Sequence, residues 1–582
     1  MSRTRWWAVA LGVGVLALAL FLPTGWYDAL PRAAGMPAPP FRGVVLLQAT
    51  LFIEGAALLW LGFRGTTFAP LLPGELPAPT PPGRADDWDV DRRTAVLLLI
   101  AITAVALVLR LMAINADLWL DEVAPVELYR TFSPLAVVTA YVRPNNHLLN
   151  TLLVKLMTGA FGEREWAIRL PAVLFGIATI PTMYWVARSA ASRVASLFAA
   201  LLLAVSYHHI FFSQNARGYS GYLLFSLLST GFLIRGLEAD RLWIWIGYLA
   251  TMVLDLASLL HGGFVLAGHM LVGAGVVIAM QRSGRSPIRL MKRLAAVFGA
   301  AAFLGFQLYA TMLPQAYVVL THTYVRAASG SPVTSRAFAT DFVRGLAQGF
   351  GPGLLLGVIP VMVIAGYGFF ALVRRKWQLA ASLTLPLGLL AALVAARSLA
   401  ASPRFFLLGL PVAALCAVLG VFGIVERMAP RRDGAARAAR VGRVASAVLG
   451  LVTLVSVSAL PAYYRTPKQT YRAALSYLLS ERGPNDLIVL VHNAEDGFRF
   501  YAHRAGLAEG RDFVALRSLA ALDSVRATGR NLILATTFER ALALEHPNLY
   551  KAIQDGWSPV RRFPSTIHDG ETSIWRARRG AE

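Results

Sequence analysis

A single cysteine, Cys416, occurs in 582 residues, which excludes an intrachain disulfide and a multi-cysteine metal site. Charge is scarce too. Only 15% of residues are Asp, Glu, Lys or Arg, against about 25% in soluble domains. The sequon N-x-[ST] is missing, a weak argument against a eukaryotic secretory-pathway protein. Gly and Pro follow no period, so collagen-like and coiled-coil classes fail, and the high apolar content excludes a disordered chain. What the sequence does have is apolar residues, 56% of the total, in runs long enough to cross a bilayer. This composition reads as a polytopic membrane protein.

A span needs about 20 mostly apolar residues. Such runs lie at 6–22, 43–63, 94–114, 167–187, 194–212, 218–234, 242–260, 262–280, 294–313, 352–373, 378–395, 405–424 and 444–461. They predict an all-α polytopic fold of about thirteen transmembrane helices. The first run follows Arg3 and Arg5 as a signal peptide would, but no convincing small-residue cleavage site comes after it, so it reads as a retained helix.

The formal charge of +23 invites a nucleic-acid reading. No basic stretch is interleaved with aromatics as in a single-strand binder, so no nucleic-acid partner is expected. Cytoplasmic loops and contact with anionic membrane lipids account for the excess. Arg3/Arg5, Arg92/Arg93, Arg188/Arg193, Arg235/Arg241, the cluster from Arg282 to Arg293, Arg374-Arg375-Lys376 and the run from Arg427 to Arg443 fall on alternate connections. All then lie inside, the N-terminus is cytoplasmic, and everything after Pro461 is outside.

The expected organisation has two additional N-terminal helices and a cytoplasmic linker over 1–93, then a transmembrane domain over 94–461 with a first outer loop at 115–166. A small soluble domain follows over 462–582. Within that loop, His147 to Phe161 reads as an interfacial amphipathic helix. In the tail, Leu487–Val491 and Asn531–Ala535 read as buried strands separated by helices, hence a small α/β extracytoplasmic domain. The tail lacks G-x-G-x-x-G and G-x-x-x-x-G-K-[ST], so a docking or acceptor-shaping role suits it better than nucleotide binding.

The sharpest polar feature is Asp117-Leu-Trp-Leu-Asp121-Glu122, just past the third span. Outward acids are common at a membrane boundary. The same loop, however, holds Arg143 and Asn145-Asn146-His147, a mixture typical of a buried active site. A second segment, Ser206 to Tyr219, carries His208, His209, Gln214, Asn215 and Arg217. Arg217 suits an anionic lipid headgroup, although a snorkelling arginine would serve as well. Arg404 in Ser402-Pro403-Arg404-Phe405 allows the same two readings. His261 lies near the outer end of its span, whereas His269 lies deeper and reads as packed and hydrogen-bonded. Asp86-Asp87-Trp-Asp89-Val-Asp91 resembles a D-x-D metal site or a calcium loop. Arg92 and Leu98 stand where the calcium loop needs Gly and Glu, and the segment faces inward, so it reads as a linker.

Taken in order, these elements resemble the GT-C glycosyltransferases of family 39, which include protein O-mannosyltransferases and lipid A aminoarabinose transferases. The resemblance covers roughly 94–425. It rests on the acidic pair Asp121-Glu122, on Asn145-Asn146-His147-Leu148 with Leu where the family has Pro, and on Glu165-Trp-Ala-Ile-Arg169-Leu-Pro171. Ser206 to Tyr219, His261 and Pro403-Arg404-Phe405 complete it. The resemblance implies transfer of a sugar from a polyprenyl-phosphate donor to a lipid, glycan or protein acceptor on the outer face, with inversion. It assigns Asp121 as general base with Glu122 orienting it, and Arg217, Arg404 and His261 to the donor phosphate. Asn146, His147 and Tyr219 fall to the substrate. A divalent metal held by Glu122 and His147 stays open. So do a glycolipid flippase and an outer-face polysaccharide ligase or polymerase.

Overall fold

The computed structural model describes residues 3–22, 42–65, 68–71, 75–77, 89–141, 146–319, 331–332, 334–348, 358–397, 400–430 and 434–578. The chain is a multi-pass, mainly helical membrane protein with a small C-terminal sheet domain, the expected class. Two N-terminal helices, α1 (Arg3–Phe21) and α2 (Gly43–Arg64), form a hairpin. A Cβ on Gly12 would lie 3.0 Å from the Gly55 carbonyl oxygen, so the two backbones meet where neither has a side chain. Helix α3 (Arg92–Leu111) leads to the outer loop and its short helices α4 (Leu120–Leu128), α5 (Pro134–Thr139) and α6 (Leu148–Phe161). Then follow α7 (Glu165–Ala187), α8 (Arg193–Val205), α9 (Tyr207–Ser213), α10 (Tyr219–Ala239), α11 (Leu242–Ser258), α12 (Gly262–Arg282), α13 (Ile288–Tyr309) and α14 (Leu313–Val318). Helix α15 (Arg336–Gln348) precedes α16 (Val358–Ala396), α17 (Gly409–Met428), α18 (Gly434–Ser458) and α19 (Leu460–Arg465).

Eight helices among the described residues are long and apolar enough to cross a membrane, or nine if α8 and α9, bent by 61°, form one span. The sequence predicts more because α1 and α11 are apolar but short, and α13 opens on Arg289, Lys292 and Arg293. The described part of the run 352–373, from Val358, merges with the run 378–395 into the 39-residue α16, broken at Lys376 (φ −157°, ψ 75°). Unbroken, that helix would run about 58 Å, nearly twice the ~30 Å hydrocarbon core.

Asp89 and Asp91 cap helices. Asp91 accepts from the Arg93 and Thr94 amides at the start of α3, and Asp89 from the Arg193 and Val194 amides at the start of α8. Carboxylates there satisfy unpaired N–H groups and complement the helix dipole. Residues 86–88 lie outside the described residues.

The tail begins with α20 (Tyr471–Glu481). Strands β1 (Asp486–Val491), β2 (Phe513–Leu516), β3 (Asn531–Thr537), β4 (Trp557–Phe563) and β5 (Thr572–Ala577) form one sheet in the order β2-β1-β3-β5-β4. β1 runs parallel to β2 and β3, while β5 runs antiparallel to β3 and β4. Every residue of β1 is buried, as expected of a parallel strand covered on both faces. Helices α21 (Ala494–Arg504), α22 (Leu519–Arg526), α23 (Glu539–Glu545) and α24 (Pro547–Gly556) complete the domain. One hydrophobic cluster joins Leu118, Val123 and Ile168 to Tyr471, Phe498, Tyr501 and Ile533. The tail and the first outer loop therefore share a core.

Candidate functional site

Glu122 and Asp121 sit in the first turn of α4 and diverge. Glu122 is fully buried. It accepts from Arg169 Nε at 2.9 Å and Nη2 at 2.7 Å, and from the Ala216 amide at 2.9 Å. Its second oxygen also takes the Trp119 amide at 3.3 Å, half of a capping box. Burial alone would raise the Glu122 carboxyl. Arg169, Lys468 and these hydrogen bonds outweigh burial and hold it below its ordinary value. Arg169 spends its other donors on the carbonyls of Ile114, Ala116 and Asp117. The pair is a brace across the outer loop, and both Glu122 oxygens are engaged in it. Sequence reading gives Glu122 the task of orienting Asp121, and this brace is the contact it makes. The signal was Arg169 itself, in Glu165-x-x-x-Arg169, which sequence reading left without a partner.

Asp121 faces the other way. Its Oδ2 lies 3.0 Å from Arg404 Nη1 and 3.5 Å from Arg217 Nη1, and Arg217 Nη1 also reaches the Asp121 carbonyl at 3.3 Å. The Asp121 side chain keeps 22% exposure, whereas Arg217 is nearly buried at 6%. Nε of both arginines is buried without a hydrogen-bond partner. An arginine fork has five donors, so each guanidinium holds donors that Asp121 does not use.

Residues 214–217 build this arrangement one side chain at a time. Gln214 donates to the Arg110 carbonyl at 2.8 Å, Asn215 Oδ1 accepts from Trp119 Nε1 at 3.2 Å, the Ala216 amide meets Glu122, and Arg217 meets Asp121. The next residue must be glycine for steric reasons. A Cβ at Gly218 would lie 1.9 Å from the Ser258 carbonyl oxygen and 3.0 Å from His147 Cβ.

His147 is buried beside this cluster, its ring 5.6 Å from that of Tyr219 and its Nε2 without a partner. Burial, then Arg217, Arg404 and His261, push its imidazole well below the ordinary value, so the ring is neutral. His261, in the turn between α11 and α12, packs 5.1 Å from Phe405. Burial lowers it to about 4, so it enters the site as a neutral ring where the sequence suggests a third cation. Tyr219 is buried with the Arg217 guanidinium 5.9 Å over its ring. Asn146 stands apart. Its amide donates to the Val137 and Ala140 carbonyls at 2.8 and 3.2 Å, and so it ties down α5. Arg143 and Asn145 lie outside the described residues. His269 is packed, with Thr230 and Tyr248 hydroxyls 3.1 Å from its two nitrogens.

Sequence reading missed three further features. Arg110 is fully buried and spends its donors on Ser213 and on the Ala106 and Ala204 carbonyls, with Nη2 against His209 Nδ1. His208 Nε2 lies 2.7 Å from the Gly345 carbonyl oxygen of α15. The tail also grips the first outer loop. Gln469 Oε1 accepts the Leu120 amide at 2.7 Å, Tyr501 OH accepts the Leu118 amide at 2.8 Å, and Asp117 accepts from the Arg472 amide and guanidinium. Gln469 Nε2 donates to Thr537 Oγ1 at 2.9 Å and the Gly570 carbonyl at 3.2 Å, which links the loop to the sheet.

Residues 145–309 match the family model described as dolichyl-phosphate-mannose-protein mannosyltransferase. Over this stretch the chain is similar to that family. The matched segment carries His147, Arg169, Arg217, Tyr219 and His261, and the fold brings Asp121 and Arg404 to them from outside it. Comparison with curated protein sequences gives no match. Among solved structures, ArnT from Cupriavidus metallidurans bound to undecaprenyl phosphate is similar at 13% identity and a TM-score of 0.46, over 83% of this chain and 98% of that one. The oligosaccharyltransferase AglB from Archaeoglobus fulgidus, in complex with an inhibitory peptide and a dolichol-phosphate, is similar at 13% identity and a TM-score of 0.48, over 84% and 74%. The arabinosyltransferase EmbB from Mycobacterium smegmatis is similar at 14% identity and a TM-score of 0.40, over 79% and 46%.

Proposed function

We propose that this protein transfers a sugar from a polyprenyl-phosphate donor to a lipid, glycan or protein acceptor on the outer face of a bacterial plasma membrane. The observation that carries this reading is Asp121 held between Arg217 and Arg404, two guanidiniums with donors to spare. The acceptor hydroxyl attacks the anomeric carbon from the face opposite the phosphate, giving inversion. Asp121 takes its proton as the bond to the phosphate oxygen breaks, and the polyprenyl phosphate leaves with the electron pair. A positioned carboxylate base is worth about 10²–10⁴-fold. The leaving group gathers negative charge, which preorganised cations stabilise without reorganising. Arg217 and Arg404 supply that charge, while His147 and Tyr219 offer hydrogen bonds to sugar or phosphate.

The basic clusters at the opposite helix ends support an outward-facing site and tail with a cytoplasmic N-terminus. The matched family, named for a polyprenyl-phosphate sugar, supports the donor class. The test is purified protein with a labelled polyprenyl-phospho-sugar. Bond cleavage with release of free polyprenyl phosphate is expected. Movement of intact lipid between leaflets without cleavage would favour a flippase.

A further inference from the structure

Nothing in the reaction above uses the carboxyl end of β1. There the chain turns at His492 with φ of +53°, a conformation uncommon outside glycine, though histidine adopts it more readily than most residues. The turn places the imidazole against the junction of α23 and α24. Glu545 Oε2 lies 3.0 Å from His492 Nε2, and the His546 ring is 4.9 Å from the His492 ring. One donor atom from each of the three residues falls within 4.8 Å of the others. Leu542, Leu549 and Ile553 are buried beneath the junction and fix both short helices on the sheet. The edge is the carboxyl end of parallel strands, where open α/β sheets hold their ligands.

Hydrogen bonding within the protein accounts for one ring nitrogen of the histidine, Nε2 through Glu545, and leaves the other. The residue is 91% buried, since its exposure is 9%, yet Nδ1 has no partner. The nearby Arg517 is engaged by Glu495 at 2.8 Å, so its charge is already matched.

We propose that His492, Glu545 and His546 bind a divalent transition-metal ion of the zinc class, leaving a fourth position open. Imidazole nitrogen suits zinc, copper and nickel, whereas magnesium and calcium take oxygen donors. Ligands at about 2.0–2.2 Å from zinc in tetrahedral array stand roughly 3.3 Å apart. The His492–Glu545 pair already has nearly that spacing, and a donor nitrogen of His546 lies within 4.8 Å of both. The open position would accept water or an oxygen donor from a molecule docked on the tail.

The test uses the full-length protein in detergent micelles, stripped with a chelator, loaded with zinc or magnesium chloride, desalted and assayed for bound metal. About one equivalent of zinc and no magnesium is expected. Glu545→Gln and His546→Ala, both at accessible positions, should lower zinc affinity by more than the ~10–100-fold typical of losing a group that only orients a ligand. The thermal unfolding shift produced by zinc should vanish in both. Failure of the wild type to retain zinc, equal retention by both variants, or equal retention of magnesium would overturn the proposal. The assay contains no sugar donor, so its outcome is independent of the transferase reading.

Discussion

Arg404 Nη1 lies 3.0 Å from Asp121 Oδ2, although the two residues stand 283 positions apart. The contact joins the first outer loop to the segment just before α17, and Arg217 enters it from between α9 and α10. Asp121 therefore meets both arginines only when three separate parts of the helical domain are assembled. A donor phosphate arriving from the bilayer would find the same two guanidiniums, pre-aimed by the carboxylate.

Arg217→Ala and Arg404→Ala should each weaken donor binding. Hydrogen bonds to charged groups contribute about 1.5–3 kcal/mol, or roughly ten- to a hundredfold in affinity. Titration with a polyprenyl-phospho-sugar measures the loss. Arg404→Lys should recover only part of it, because an ammonium cannot reproduce the planar fork.

Glu122→Gln should destabilise the protein. Removing one partner of a buried ion pair costs about 3–5 kcal/mol, and the variant would leave the Arg169 charge in the core. A large fall in the unfolding midpoint of the micelle-bound protein is expected. Glu122→Leu combined with Arg169→Leu should cost less than the sum of the single changes. A Glu122→Gln protein of wild-type stability with lost turnover would return Glu122 to chemistry.

The two adjacent acids show where sequence reading stops. The helical domain was legible because about twenty apolar residues bounded by arginines have one physical solution. The strands at 487–491 and 531–535 were legible from short apolar runs between helical segments. Asp121, Arg217 and Arg404 stood out as charges at membrane boundaries. Nothing local, though, distinguishes the brace at 122 from the open carboxylate at 121. That difference depends on Arg169 reaching back across 47 positions. The grip of Gln469 and Tyr501 on the loop spans far longer separations and leaves no periodic trace. The break at Lys376 was readable as a basic cluster between two apolar runs, whereas the capping by Asp89 and Asp91 was hidden by their likeness to a metal motif.

Lys468 gives a pH prediction. It is fully buried against the Gln214 and Phe211 carbonyls, and burial, with Arg169 adding to it and Glu122 opposing, lowers its ammonium to about 7. Above that value the folded protein has released a proton that the unfolded chain, with an ordinary lysine, still holds. Stability should therefore rise with pH from about 7 upward, by at most about 1.4 kcal/mol per unit. Below 7 the burial penalty is carried in full. Thermal unfolding between pH 6 and 9 checks this, and Lys468→Met should remove the slope.

Gln469→Ala cuts the link from the sheet to the amide of Leu120, the residue before Asp121. Donor affinity should hold, because Arg217 and Arg404 are untouched, while kcat falls as the carboxylate loses its fixed bearing. Gln469→Glu retains the acceptor for the Leu120 amide and should recover part of the rate. Equal losses in affinity and rate would point to general disruption instead.

The most direct measurement is turnover and donor binding in Asp121→Asn, an isosteric change that removes the base and keeps the packing. A loss of at least about 10²-fold in sugar transfer is expected, with donor binding and the unfolding midpoint close to wild type. Transfer at the wild-type rate in that variant would contradict Asp121 as the base.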